Sequence, residues 1–196
     1  MGKKLTQKFS TGLGNSIKNG FFVEIGAGDG TSENTTLYLE KLGWNGIAIE
    51  PFKERFDKLV ASRSCKCLNV AVYDYDGEVE FAVFPPNSYG WNGIIETHQP
   101  QHKELYKEML ETIKVPCLTW DSLNLPKNID YLQLDAEGAE LSILKNIPWD
   151  RQHITYICLE DNKKNNSGDS EYENYMKSIG YTCVDRLGQD FLWKKI

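Results

Sequence analysis

Residues 21–30, FFVEIGAGDG, constrain this chain more than any other stretch. Mostly apolar positions with one acid among them run into three glycines at alternate places, Gly26, Gly28 and Gly30. A short apolar run bounded by turn residues reads as a buried strand. Glycines directly after it let the backbone turn sharply and bring its N–H groups close to a ligand, because no Cβ stands in the way. This is how a nucleotide site opens an α/β fold. It also raises a question: a buried carboxylate is costly unless a cation or a hydrogen-bond donor meets it, so Glu24 needs a partner.

The pattern continues downstream. Thr31 or Ser32 caps a helix with Leu37, Tyr38 and Leu42 facing inward, closed by Gly43. GIAIEP at 46–51 is a second buried strand ending in Glu50-Pro51, and Phe52, Phe56, Leu59 and Val60 repeat at helical spacing after it. CKCLNVAVY at 65–73 is a third strand, and beyond the Asp76-Gly77 turn EVEFAVF alternates like its hairpin partner. Such β-α-β-α-β alternation predicts a mostly parallel sheet with helices on both faces.

Residues 85–98 read as an irregular loop, and Leu105, Tyr106, Met109, Leu110 and Ile113 predict a helix over 101–113. IKVPCLTW, IDYLQLD and ITYICLE supply further strands. The last two segments, YTCVDRL and DFLWKKI, are joined so tightly through Gly188 that they must run antiparallel. One domain over 1–196 is expected, with an N-terminal extension at 1–19 and a loop-and-helix insertion at 85–113 on the acceptor side.

Charge and cysteine usage remove several functions. A net charge of -6 gives no basic field for a phosphate backbone, so nucleic acid is not an expected partner; Lys3, Lys4 and Lys8 read as a solvated terminus. No run of eighteen apolar residues and no signal peptide is visible, so a soluble, cytoplasmic protein without a membrane partner is expected. Five cysteines, an odd number with no C-x-x-C pair, suit reduced core thiols better than disulfides or zinc.

Two cofactor classes place a ribose against an acid that ends the second strand, as Glu50 does: dinucleotides and S-adenosylmethionine. Glu24 separates them. A pyrophosphate at the helix start would gain nothing from a carboxylate two residues before the first glycine, whereas S-adenosylmethionine brings an ammonium and a sulfonium. The glycine spacing agrees, because the third glycine of the dinucleotide fingerprint falls on Thr31.

At this point the chain resembles the FkbM family of methyltransferases. The resemblance rests on GFFVEIGAGDGTSENTTLYLEKLGWNGIAIEP, then NVAVYD, WNGI, LTWDSL and YLQLDAEGAELSILKNI. Its most distinctive pieces are Asp135-x-Glu137-Gly138-x-Glu140 and Gly43-Trp44-x-Gly46-Ile47. It implies a Rossmann-like class I methyltransferase fold, a seven-stranded and mostly parallel sheet with a C-terminal antiparallel hairpin. It also implies S-adenosylmethionine as cofactor and methyl transfer to a hydroxyl of a glycan or small metabolite. By the same resemblance Glu24 takes the amino end of the cofactor and Gly26, Ala27, Gly28 and Gly30 form its backbone cradle. Glu50 and Pro51 lie at the ribose, and Asn69, Val70 and Ala71 by the adenine. One departure is Gly-Trp-Asn-Gly at 90–93, where relatives commonly carry a serine before the glycine, which bears on the acceptor.

The acids have alternative readings. Asp135 ends an apolar strand and should emerge where open α/β sheets bind ligands; Asp135 or Glu137 is either the base that takes the acceptor proton or a cap on the following helix. Glu140 reads as a first-turn helix acid, and Glu50 alone would also fit a strand-end carboxylate held by the next helix. His98 is a base near neutral pH or an incidental loop histidine, and Tyr89 and Trp91 stack on a sugar ring or pin the loop. Asp135, Glu160, Asp161 and Asn162 form a magnesium option; metal-free catalysis is the expectation. The rival functions are a catalytically silent binding module of this fold and an NAD-linked oxidoreductase.

Overall fold

The computed structural model describes residues 9, 12–31, 36–98, 106–160, 171–187 and 190–196. Its strands, in chain order, are β1 (Phe21–Ile25), β2 (Asn45–Ile49), β3 (Lys66–Leu68), β4 (Ala71–Val72), β5 (Gly77–Val83), β6 (Gly93–Ile94), β7 (Glu111–Leu118), β8 (Asn128–Leu134), β9 (His153–Glu160), β10 (Tyr181–Leu187) and β11 (Asp190–Lys195). The helices used below are α1 (Leu37–Lys41), α2 (Lys53–Ser62), α3 (Glu140–Asn146) and α4 (Glu171–Ser178).

Seven strands form the main sheet in the order β10-β11-β9-β8-β1-β2-β3. It is parallel from β9 to β3, and β11 lies antiparallel to both β9 and β10. Successive side chains alternate between faces, and the register sorts them into two cores. Phe22, Tyr131, Tyr156, Cys158 and Leu192 face one side, under Leu39 of α1. On that same face Ala48 meets Leu59 of α2. Val23, Leu132, Ile157 and Trp193 face the other side, under Ile143 of α3 and Met176 of α4. The helices therefore cover both faces, as the alternating pattern requires. The parallel order reverses direction at β1, and it is there, at the C-terminal edge, that such sheets leave a crevice. No helix of the described residues is long and apolar enough to cross a membrane.

Three local expectations fail, each for a visible reason. The third strand is two strands: Asn69 Nδ2 donates to the Glu50 and Pro51 carbonyls, both at 2.9 Å. This diverts the chain out of the main sheet, so that β4 joins a second sheet, β4-β7-β5-β6. For that reason β5 does not pair with β4; it runs antiparallel to β7, from Gly77 opposite Cys117 to Val83 opposite Glu111. The third correction concerns the insertion, where the helix expected over 101–113 is not found among the described residues. Residues 106–108 make one short turn, 111–113 already belong to β7, and 101–105 lie outside the described residues. Thr112, Ile113 and Val115 favour a strand, Pro116 excludes a helix interior, and a seven-residue partner stands ready in β5. Leu110, expected on the buried face, is 64% exposed.

Smaller differences follow the same logic. In α1 the buried residue is Leu39, and Leu42 is exposed. Gly43 closes the helix with φ +85°, with Trp44 N–H donating back to the Leu39 carbonyl at 3.2 Å. Ser32 lies outside the described residues.

Candidate active site

A cleft of about 240 Å³ opens at the C-terminal edge of β1, β2 and β8. Its lining includes Gly26, Ile49, Glu50, Pro51, Val70 and Ala71 around the ends of β1 and β2 and the start of β4, and Asp135, Glu137 and Glu160 at the ends of β8 and β9. Tyr89, Gly90 and Asn92 also line it, contributed by the irregular segment that the sequence reading places on the acceptor side.

The glycine turn is fixed by the sheet itself. The N–H groups of Gly26 and Ala27 both donate to the Ile49 carbonyl, at 3.0 and 2.9 Å. Gly26 and Gly28 have φ of +84° and +59°, a region that L side chains rarely adopt. A Cβ on Gly26 would come within 1.8 Å of the Asp135 carbonyl oxygen, and one on Gly28 within 2.3 Å of Arg55 Nη2. The glycines thus serve strand-to-strand and loop-to-helix approach, and the space beside them is filled by protein.

Glu50, 5% exposed, joins the turn to α2. Gly28 N–H donates to its Oε2 at 2.8 Å and Phe52 N–H to its Oε1 at 2.9 Å. A carboxylate of that kind beside Ile49, Pro51 and Val70 suits a molecule carrying vicinal hydroxyls next to a flat ring.

Glu24 finds its partner inside the fold. It is 1% exposed, and its Oε2 accepts from Thr36 Oγ1 at 2.7 Å and faces Arg63 Nη1 at 3.4 Å. Arg63 also donates from Nη2 to Thr36 at 3.0 Å and from Nε to Glu40 at 2.5 Å, and its guanidinium lies over the Phe22 ring. Glu40 accepts from the Ser64 N–H at 2.7 Å and from its hydroxyl. Two acids, one arginine and two hydroxyls therefore tie β1 to α1 and to the end of α2. Burial pushes the Glu40 carboxyl up, and these donors outweigh it, bringing it down to about 2.

The ends of β8 and β9 bring like charges together. Asp135, Glu137 and Glu160 each bring a carboxylate oxygen within 4.8 Å of the others. Register explains the meeting: Leu134 pairs with Leu159, so Asp135 and Glu160 leave neighbouring strands side by side. Asp190, 2% exposed, stands opposite Glu160 on β11. Burial, then the charges of Glu160, Glu140 and Asp190, push the Asp135 carboxyl well above the usual aspartate range. Burial raises Asp190 as well. Oxygen ligands at this spacing are also compatible with a divalent cation.

The turn that carries Glu137 is clamped by Glu140, which accepts from Ala136 N–H at 2.8 Å, Gly138 N–H at 3.1 Å and Tyr172 Oη at 3.1 Å. Glu137 itself has φ +49°, a strained value for a side-chain-bearing residue.

Of the residues named from sequence, Gly26, Glu50, Pro51, Val70, Ala71, Tyr89, Asp135, Glu137 and Glu160 line the cleft. Glu24, Ala27, Gly28, Gly30 and Asn69 are not among the lining residues. His98 is also outside the lining; its Nδ1 is 2.9 Å from Tyr106 Oη. Asp161 and Asn162 lie outside the described residues. Arg55, 8% exposed and a lining residue, has no mark in the sequence, since one arginine in the first turn of a surface helix is ordinary. Glu160, named from sequence only within the magnesium option, closes an apolar central strand as Asp135 does and meets Asp135 and Glu137 here.

The FkbM methyltransferase domain family matches residues 24–183. Among solved structures, a proposed RNA methyltransferase from Pyrococcus horikoshii superposes with a TM-score of 0.52 at 12% identity, covering 100% of this chain and 84% of that one. The METTL16 methyltransferase domain gives 0.49 at 14%, covering 98% and 83%. An S-adenosylmethionine-dependent methyltransferase from Aquifex aeolicus gives 0.41 at 13%, covering 98% and 86%. Among curated proteins nothing matches. At such identities the first superposition speaks for the class I methyltransferase fold alone. The family match spans most of the chain and its own glycine turn, Glu50 and Asp135 motif: the protein belongs to the FkbM family of S-adenosylmethionine-dependent methyltransferases.

Proposed function

We propose that this methyltransferase acts on a hydroxyl oxygen of a glycan or small metabolite, with Asp135 and Glu137 taking the acceptor proton. The observation that carries the reading is the cluster of Asp135, Glu137 and Glu160 in the cleft, within which burial and neighbouring acids raise the proton affinity of Asp135. A general base works best when its pKa approaches the operating pH, and such a group contributes about 10²–10⁴-fold.

S-adenosylmethionine supplies an activated methyl group on a sulfonium, so no covalent enzyme intermediate is needed. Glu50 holds the ribose hydroxyls, Pro51, Val70 and Ala71 form the adenine side, and Gly26 and Asp135 border the methionine end. The chain then contributes alignment of the acceptor oxygen, worth up to about 7–11 kcal/mol, and removal of its proton. Glu24, expected at the amino end of the cofactor, acts instead through the architecture. Catalysis is metal-free in this reading.

Charge supports an uncharged acceptor. Among the described residues Glu50, Asp135, Glu137 and Glu160 line the cleft with Arg55 as the single cation, and the whole chain carries -6. A phosphodiester would meet repulsion there. The likeness to the Pyrococcus horikoshii RNA methyltransferase is one of fold and does not carry its substrate.

Calorimetry with S-adenosylhomocysteine and with NAD tests the cofactor, and NAD binding in its place would end the reading in favour of an oxidoreductase. Transfer of labelled methyl to neutral glycans, with RNA as the competing acceptor, tests the substrate class. Label in RNA overturns it. Activity lost with chelator and restored by magnesium overturns the metal-free assignment.

A further inference from the structure

His98 is displaced from the cleft yet packed against the turn that carries Glu137. A Cβ on Gly93 would lie 2.6 Å from His98 Nε2 and 3.1 Å from Glu137 Cβ, so the imidazole edge and the glutamate stem converge on one point, left open because residue 93 is glycine. Next door, a Cβ on Gly138 would lie 2.5 Å from the Thr97 carbonyl. The segment 93–98 and the turn 135–138 thus fit each other at two successive glycine contacts. At the same place Glu137 is held at φ +49°, a conformation that persists only where the surroundings enforce it.

The far side of the ring is equally determined. Tyr106 Oη lies 2.9 Å from Nδ1, and the rings of Phe84 and Tyr106 stand 6.2 and 5.5 Å from the imidazole. Burial raises the Tyr106 phenol, which therefore keeps its proton and can donate it. With Tyr106 as the donor, Nδ1 is the acceptor and the ring proton sits on Nε2, the nitrogen facing Gly93 and Glu137.

We propose that His98 is a positioning residue for Glu137: Tyr106 Oη–H donates to Nδ1, and Nε2–H donates to the Glu137 carboxylate, fixing it in the cleft beside Asp135. This rests on the reading of Glu137 as an acid that faces the acceptor. A glutamate has three side-chain torsions, and a base that wanders loses the alignment on which proton removal depends. The histidine supplies orientation without touching the acceptor, much as the partner of an imidazole in other sites fixes a tautomer and a direction.

Nitrogen-15 NMR of the imidazoles in the intact protein decides it with neither cofactor nor acceptor present. The expected wild-type result is a single His98 tautomer with Nε2 protonated and Nδ1 bare, and an Nε2–H resonance protected from solvent exchange. Tyr106→Phe should turn this into a mixture of tautomers. Glu137→Ala should abolish the protection while leaving the resonances of exposed His153 in place. An Nδ1-protonated or mixed wild-type spectrum overturns the proposal even if neither variant folds, and so does an Nε2–H signal that stays protected in Glu137→Ala. Titrating S-adenosylhomocysteine into the same wild-type sample reports separately on the methyltransferase reading: failure there with the expected His98 spectrum removes the catalytic meaning and leaves the hydrogen-bond chain.

Discussion

The acids around β1 and β2 and those at the ends of β8 and β9 are treated in opposite ways. Around β1 and β2, Glu24 and Glu40 share the buried Arg63 and two hydroxyls, and Glu50 accepts two backbone N–H groups. Around the ends of β8 and β9, Asp135, Glu137 and Glu160 are crowded against one another. Where donors surround a carboxylate it acts as a rivet, and at Glu40 they outweigh burial and bring its pKa down. Where carboxylates are pressed together, at least one is pushed toward holding a proton, the property that a proton-transfer site needs. A motif search sees acids in both places; their neighbours assign the jobs.

The hardest test of this contrast is Arg63→Met. It strands Glu24, 1% exposed, and half-buried Glu40 without their cation. Breaking a buried pair in this way costs about 3–5 kcal/mol, which urea denaturation would read as a much lower midpoint. Adding Glu24→Gln to that variant should recover part of the loss. A single variant as stable as the wild type would show that the network is dispensable and that the rivet reading is wrong.

Glu50 stands between the two regimes, since it is both bonded by the backbone and exposed to the cleft. Glu50→Ala should weaken S-adenosylhomocysteine binding by about 1.5–3 kcal/mol, the range for hydrogen bonds to a charged group. Calorimetry on the folded variant measures it. Unchanged affinity would make Glu50 a cap of α2 and nothing more.

How far the sequence discloses this follows from range. The strand and glycine turn at 21–30, the strand-end acids and the closing hairpin all depend on local pattern, and they appear where the pattern puts them. The failures depend on partners far along the chain. Residues 111–113 continue a helical spacing from Leu105, yet they become strand because β5 lies alongside. Asn69 looks like one more residue of an apolar run, and only its two carbonyl partners show that the chain turns there. Glu24 announces a need for a partner, but nothing near it in sequence names Arg63. Glu160 comes beside Asp135 only through the register of β8 and β9.

Asn69→Ala sharpens the point at smaller scale. Two hydrogen bonds to the Glu50 and Pro51 carbonyls are lost, each worth about 0.5–1.5 kcal/mol. Because Asn69 is not among the lining residues of the cleft, folding stability should fall while affinity for S-adenosylhomocysteine changes less than in Glu50→Ala. A larger affinity loss than stability loss would return Asn69 to direct cofactor contact.

The finest test uses pH, because the two regions carry opposite signs. Donors from Ser64 and Arg63, working against burial, lower the Glu40 carboxyl from 4.5 to about 2. The folded state then binds fewer protons than the unfolded one in that interval. The stability Glu40 contributes is complete above about 4.5 and drains away as pH falls toward about 2. Burial and its acidic neighbours raise Asp135 above 3.8. There the folded state binds more protons, so stability declines as pH rises from near that value through the raised pKa. Urea midpoints across a pH series should therefore show Glu40→Gln flattening the acid limb and losing stability at neutral pH. Asp135→Asn should instead flatten the decline above pH 4 and be at least as stable as the wild type at neutral pH. If both variants lose stability at neutral pH, the carboxylates at the end of β8 are held by donors after all, and the division between rivets and proton-transfer acids fails.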